Sequence, residues 1–125
     1  MVEDDPARAM IDWINNVPPA ELAAELMMAF VPGQIPGLIS AWSLAEWMFR
    51  GCPKPSKYVA KYFPKFTDDD AGPISEALQL LEHSELLYTS RRGERQHWNA
   101  TRLGLAMVAS GKPAVRQRIT DRTGA

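Results

Sequence analysis

Between Ile74 and Val108 the hydrophobic period changes from helical to alternating and back again, and few folds accept that order of elements. Ile74, Ala77, Leu78 and Leu81 recur at i, i+3, i+4 and i+7, which places them on one helix face. Leu86-Leu87-Tyr88-Thr89 and Gln96-His97-Trp98-Asn99 are short runs with β-branched or aromatic members, the pattern of a hairpin. The connection between them, Arg91-Arg92-Gly93-Glu94-Arg95, is basic, and Gly93 can take the positive φ that a tight turn needs. Thr101 offers a hydroxyl cap to a helix starting near Arg102. The spacing predicts a helix over 72–84, strands over 86–90 and 96–100, and a helix over 102–110.

Upstream, Asp5-Pro6 reads as the start of a helix whose apolar side is Met10, Ile11 and Ile14. Asn15 to Pro19 ends it. A second helix, from about Pro19 to Val31, carries Leu22, Ala23, Leu26, Met27 and Phe30 at helical spacing, with Glu21 and Glu25 opposite. A third, over 38–50, has Leu38, Trp42, Ala45 and Phe49 as one stripe; Pro53 forbids its continuation. Tyr58, Val59, Tyr62 and Phe63 suggest a short helix over 56–63. After Gly111 and Pro113 the segment 112–125 shows no sustained apolar face and reads as a basic, flexible tail.

The piece from Ala77 to Leu87, the basic connection, and Trp98-Asn99-Ala100-Thr101-Arg102-Leu103-Gly104 together resemble the winged-helix DNA-binding regulators, the MarR-like and PadR-like branches above all. The last stretch is similar to that family's aromatic-x-x-Thr-x-x-Gly ending. The resemblance covers about the last half of the chain. It departs from the family where Ser84-Glu85 stand in place of the usual glycine after the helix. It implies a mainly α fold with a small β-hairpin: a winged helix-turn-helix over 38–110, with helices at 38–50, 56–63 and 72–84. The helical segment 5–34 is then an N-terminal extension outside the core, and the whole is one domain over 1–111. It also implies a homodimer built through the terminal helices.

Length and composition agree with one domain. No apolar run approaches the roughly 20 residues of a membrane span. The N-terminal MVEDDPARAM is acidic, unlike a secretory leader. Cys52 is the single cysteine, so no internal disulfide forms; this fits a reducing cytoplasm, the expected location. Charge is unevenly spread. Residues 1–50 hold seven acids and two bases, a balance of −5, and residues 91–125 hold eight bases and two acids, a balance of +6. Such asymmetry suggests an acidic partner, nucleic acid first, although a solvated basic tail would produce it too.

The arginines Arg91, Arg92 and Arg95 are placed to reach phosphates, with Arg102 close by. On the third helix of the module, Ser75 and Gln79 face outward, and glutamine can pair bidentately with adenine. Glu76 and Glu82 repel phosphates, although a glutamate can accept from cytosine. Lys57 and Lys61 add positive charge nearby. Asp68, Asp69 and Asp70 read best as helix capping. The four tryptophans, Trp13, Trp42, Trp47 and Trp98, read as packing residues rather than stacking platforms. Cys52, His83 and His97 lack metal-site spacing, and no catalytic motif or cofactor cradle occurs; no enzyme, metal or cofactor is expected. The expectation is a regulator on double-stranded DNA. The alternative is a winged-helix protein-interaction module whose acidic third helix docks a partner protein.

Overall fold

The computed structural model describes residues 12–35, 38–51, 72–92 and 95–125. The helix predicted for 56–63, with Lys57 and Lys61, lies outside the described residues. So do Cys52, the three aspartates Asp68 to Asp70, and Gly93-Glu94. Within them the chain is mainly helical with one small antiparallel hairpin. Residues 12–16 are helical. Then come α1 (Pro19–Met27) with a 3-10 turn (Met28–Phe30), α2 (Ala41–Gly51), α3 (Gly72–His83), β1 (Leu87–Arg92), β2 (Arg95–Ala100), α4 (Arg102–Ser110) and α5 (Lys112–Thr123). No helix among the described residues is long and apolar enough to cross a membrane.

Helix α1 corrects the expectation of an N-terminal extension at 5–34. It lies at the centre of the core, against α3 and α5. Pro19 occupies its first turn, where the missing N–H costs nothing. Ala20, Leu22, Ala23, Ala24, Leu26 and Met27 are all buried. Apolar residues on nearly every side belong to a buried helix, and three alanines let neighbours approach closely. Ile14, just upstream, is buried in the same core.

The predicted tail at 112–125 is instead α5. Pro113 stands in its first turn, and Val115 and Ile119, one helical turn apart, are fully exposed to the core and closed to solvent. Burying each contributes roughly 1.5–3 kcal/mol. Two apolar residues are too few to register as a helical period, which is why the sequence looked like tail. Arg118 Nε donates to the Ser84 carbonyl at 3.1 Å, and ion pairs add to the hold on α5. Lys112 Nζ lies 2.5 Å from Glu25 Oε2, and Arg116 Nε lies 2.8 Å from Glu21 Oε1. Arg118 and Arg122 both reach Glu85 Oε1, at 3.0 and 2.8 Å.

The helix predicted from Leu38 begins at Ala41. Ser40 caps it: its Oγ accepts from the Ser43 N–H, and the Ser40 N–H donates to Ser43 Oγ, a reciprocal box. Ile39 is held extended because its carbonyl accepts from the Trp98 N–H at 2.7 Å, forming an isolated antiparallel bridge to β2. Leu38 is consequently about half exposed rather than part of a helical stripe. Among the described side chains of α2, Leu44, Ala45 and Met48 are buried in the core, with Ala41 and Trp47 packed against it.

One turn ties α3, the hairpin, α4 and α5 together. Helix α3 ends in a Schellman arrangement, with the Leu86 N–H donating to the Leu81 carbonyl and the Glu85 N–H to that of Glu82. Glu85 takes φ 66°, the left-handed position usually held by glycine. That conformation costs a non-glycine residue roughly 1–2 kcal/mol. The two arginines of α5 that meet the Glu85 carboxylate offset part of it. Thr101 Oγ1 donates to the Glu85 carbonyl at 2.7 Å and accepts from the Gly104 N–H at 2.8 Å, so it caps α4 and clamps the turn together. Gly104 is required by proximity: a Cβ there would lie 2.1 Å from the Leu86 carbonyl oxygen. The Thr-x-x-Gly pattern therefore has a local physical cause.

Candidate nucleic-acid interface

Helix α3 buries Ile74, Ala77, Leu78 and Leu81 and leaves Ser75, Glu76 and Gln79 exposed. Ser75, Gln79 and Glu82 follow one another at i, i+4 and i+7, so they share a face. Across from that face stands β2. A groove of about 600 Å³ lies between them, lined by Ser75, Gln79 and Glu82 on one side and Gln96 and Trp98 on the other, with Ser40 and Ala41 at the start of α2. Ser75 and Gln79 are exposed, as helical spacing expects. Gln96 and Trp98 could not be placed beside them from spacing, because only the hairpin register brings alternate β2 residues toward α3.

The strands run further toward the tip than the predicted 86–90 and 96–100. Arg91 pairs with Gln96, and Arg92 with Arg95. The three arginines therefore belong to the ends of a paired ribbon rather than to a loose loop. The Arg91 side chain is exposed and has no ion-pair partner among the described residues. Tyr88 stands exposed nearer the hairpin base, and a hydrogen bond from Asn99 Nδ2 to Ser90 Oγ at 3.1 Å braces the middle of the ribbon. Arg102, at the start of α4, is exposed and likewise without an ionic partner among the described residues.

The C-terminal cations divide into two groups. Lys112, Arg116, Arg118 and Arg122 are matched by Glu25, Glu21 and Glu85 of the same chain. Half of the basic block that the sequence assigned to an outside partner thus has an internal one. Arg91 and Arg102 have no ionic partner among the described residues. Lys57 and Lys61, also expected at this surface, fall outside the described residues.

Glu76 and Glu82 carry the opposite sign on α3 itself. Neither carboxylate has a hydrogen-bond or ion-pair partner among the described residues. The surface therefore combines cations on the ribbon with amide, hydroxyl and carboxylate groups on the helix. Such a division suits a ligand whose backbone is anionic and whose interior edge carries hydrogen-bond donors and acceptors. Comparisons of the chain with family models, with curated proteins and with solved structures gave no match.

Proposed function

We propose that the protein is a winged-helix regulator that binds double-stranded DNA through α3 and the arginine-bearing hairpin. The single observation carrying this reading is the juxtaposition across the groove. Exposed Ser75 and Gln79 on α3 stand beside a paired ribbon that ends in Arg91, Arg92 and Arg95. In this reading Ile39, bridged to β2, is a third, one-residue strand of the wing sheet, and α1, α2 and α3 are the helices of the module. That arrangement shifts the module toward the N-terminus relative to the 38–110 expected from sequence.

The arginines supply sequence-independent affinity by replacing counterions along the phosphates. The α3 side chains supply choice among base edges. Replacing Arg91, Arg92 and Arg95 together by alanine should weaken binding to every duplex, measured by fluorescence anisotropy. Changing Ser75 or Gln79 should alter sequence preference with a smaller loss of general affinity. Equal binding by the triple variant and the parent contradicts the reading. The homodimer belongs to the same proposal. Val115 and Ile119 of α5 are buried in the core, and among the described residues the exposed apolar side chains open to a second copy are Trp13, Leu38, Tyr88 and Leu105.

A second reading is favoured by Glu76 and Glu82, whose carboxylates have no partner among the described residues: a winged-helix protein-interaction module in which α3 docks a basic partner protein. Retention on duplex-DNA resin at low salt separates the two. Clean flow-through supports the protein partner.

A further inference from the structure

We infer that Glu82 is a base-reading residue of the α3 face, selecting cytosine at one position of the bound duplex beside an adenine read by Gln79. This rests on the DNA-binding reading above and adds the class of site it takes. Glu82 is half-buried in the groove between α3 and β2, and it is the one charged side chain among the groove's described lining residues. Its carboxylate has no hydrogen bond or ion pair among the described residues, so the lone pairs are open toward the groove. The neighbouring amides of Gln79 and Gln96 line the same space without bonding to it.

An ionised carboxylate only accepts hydrogen bonds. Against a phosphate it is repelled, so it orients the backbone away from this part of α3 and toward the arginines of the ribbon. Against base edges it discriminates by chemistry. Cytosine presents an N4 amino donor in the major groove, whereas guanine presents the N7 and O6 acceptors. A half-buried carboxylate facing acceptors loses its water and gains nothing in return. Glu82 is three residues from Gln79, about 4.5 Å along the helix axis. One base step is about 3.4 Å, so the two side chains meet neighbouring base pairs. The acid that looked like an obstacle to DNA binding is thereby the source of part of its selectivity.

The test uses the full chain and duplexes selected by it from a random library. Affinities are then measured for the best duplex and for every single-base-pair change in it, with the parent, Glu82→Gln and Glu82→Ala. The parent should prefer cytosine at one position by about 5- to 150-fold, the range of one base contact. Glu82→Gln should move that preference toward adenine, and Glu82→Ala should abolish it. Preferences equal in all three proteins at every position overturn the inference while leaving the DNA-binding reading intact. A parent that binds no duplex overturns both. Circular dichroism of the two variants establishes that they are folded before the comparison is made.

Discussion

Lys112, Arg116, Arg118 and Arg122 on α5 each meet a glutamate of the same chain, whereas Arg91 on the hairpin and Arg102 on α4 meet none among the described residues. In the sequence these cations form one continuous basic block. In the structure they serve two purposes. The α5 group fastens a helix across the acidic side of α1 and onto the turn at Glu85. The hairpin group stands at the end of a ribbon beside the open face of α3. A run of like charge therefore names no partner until the opposite charges it can reach within its own chain have been found. The acids that answer α5 lie far away in sequence, at Glu21 and Glu25.

The comparison can be broken most severely where both regions hang from one point, the turn at Ser84 to Leu86. Gly104→Ala should push that turn off α4 and loosen hairpin and α5 together, lowering stability by about 3 kcal/mol or more. Urea unfolding reads this directly, and an unchanged midpoint would mean the turn is not the shared anchor. Next in size is Ile119→Ala, which should cost about 2–5 kcal/mol because it empties a fully buried site under α5. Arg91→Ala, on an exposed ribbon, should move stability by no more than about 0.5 kcal/mol. A large loss from Arg91→Ala would show that the hairpin cations are structural too. Between Ile119→Ala and Arg91→Ala in size lies the contrast between Glu85→Gly and Glu85→Ala. Both remove the arginine contacts, but only glycine relieves the positive φ, so the glycine variant should be the more stable by about 1 kcal/mol. The smallest effects belong to the individual α5 ion pairs. Their partners are partly exposed, and Lys112→Gln should cost well under about 1 kcal/mol.

The order helix, strand, strand, helix after Gly72 was legible because each element there carries its period within its own residues. Thr101 and Gly104 were also legible, since cap and close approach are set by neighbours in sequence. What the sequence hid depends on distant contacts. The central place of α1 follows from alanines that look neutral in a linear reading, and α5 rests on two buried residues and four ion pairs. The start of α2 moved to Ala41 because Ile39 is claimed by β2. At the candidate interface Ser75 and Gln79 could be picked from helical spacing. Gln96, opposite Arg91, and Trp98 required the strand register, and Glu82 required knowing that no cation among the described residues answers it.

The most direct test of the division between the two basic groups is the slope of log affinity for duplex DNA against log salt. It would be measured for the parent, for the Arg91, Arg92 and Arg95 alanine variant, and for a variant with Lys112, Arg116 and Arg122 changed to glutamine. The division predicts a slope shallower by up to about 3 for the hairpin variant, and a parental slope for the α5 variant. Equal loss of slope in both variants, or loss in the α5 variant alone, would contradict it.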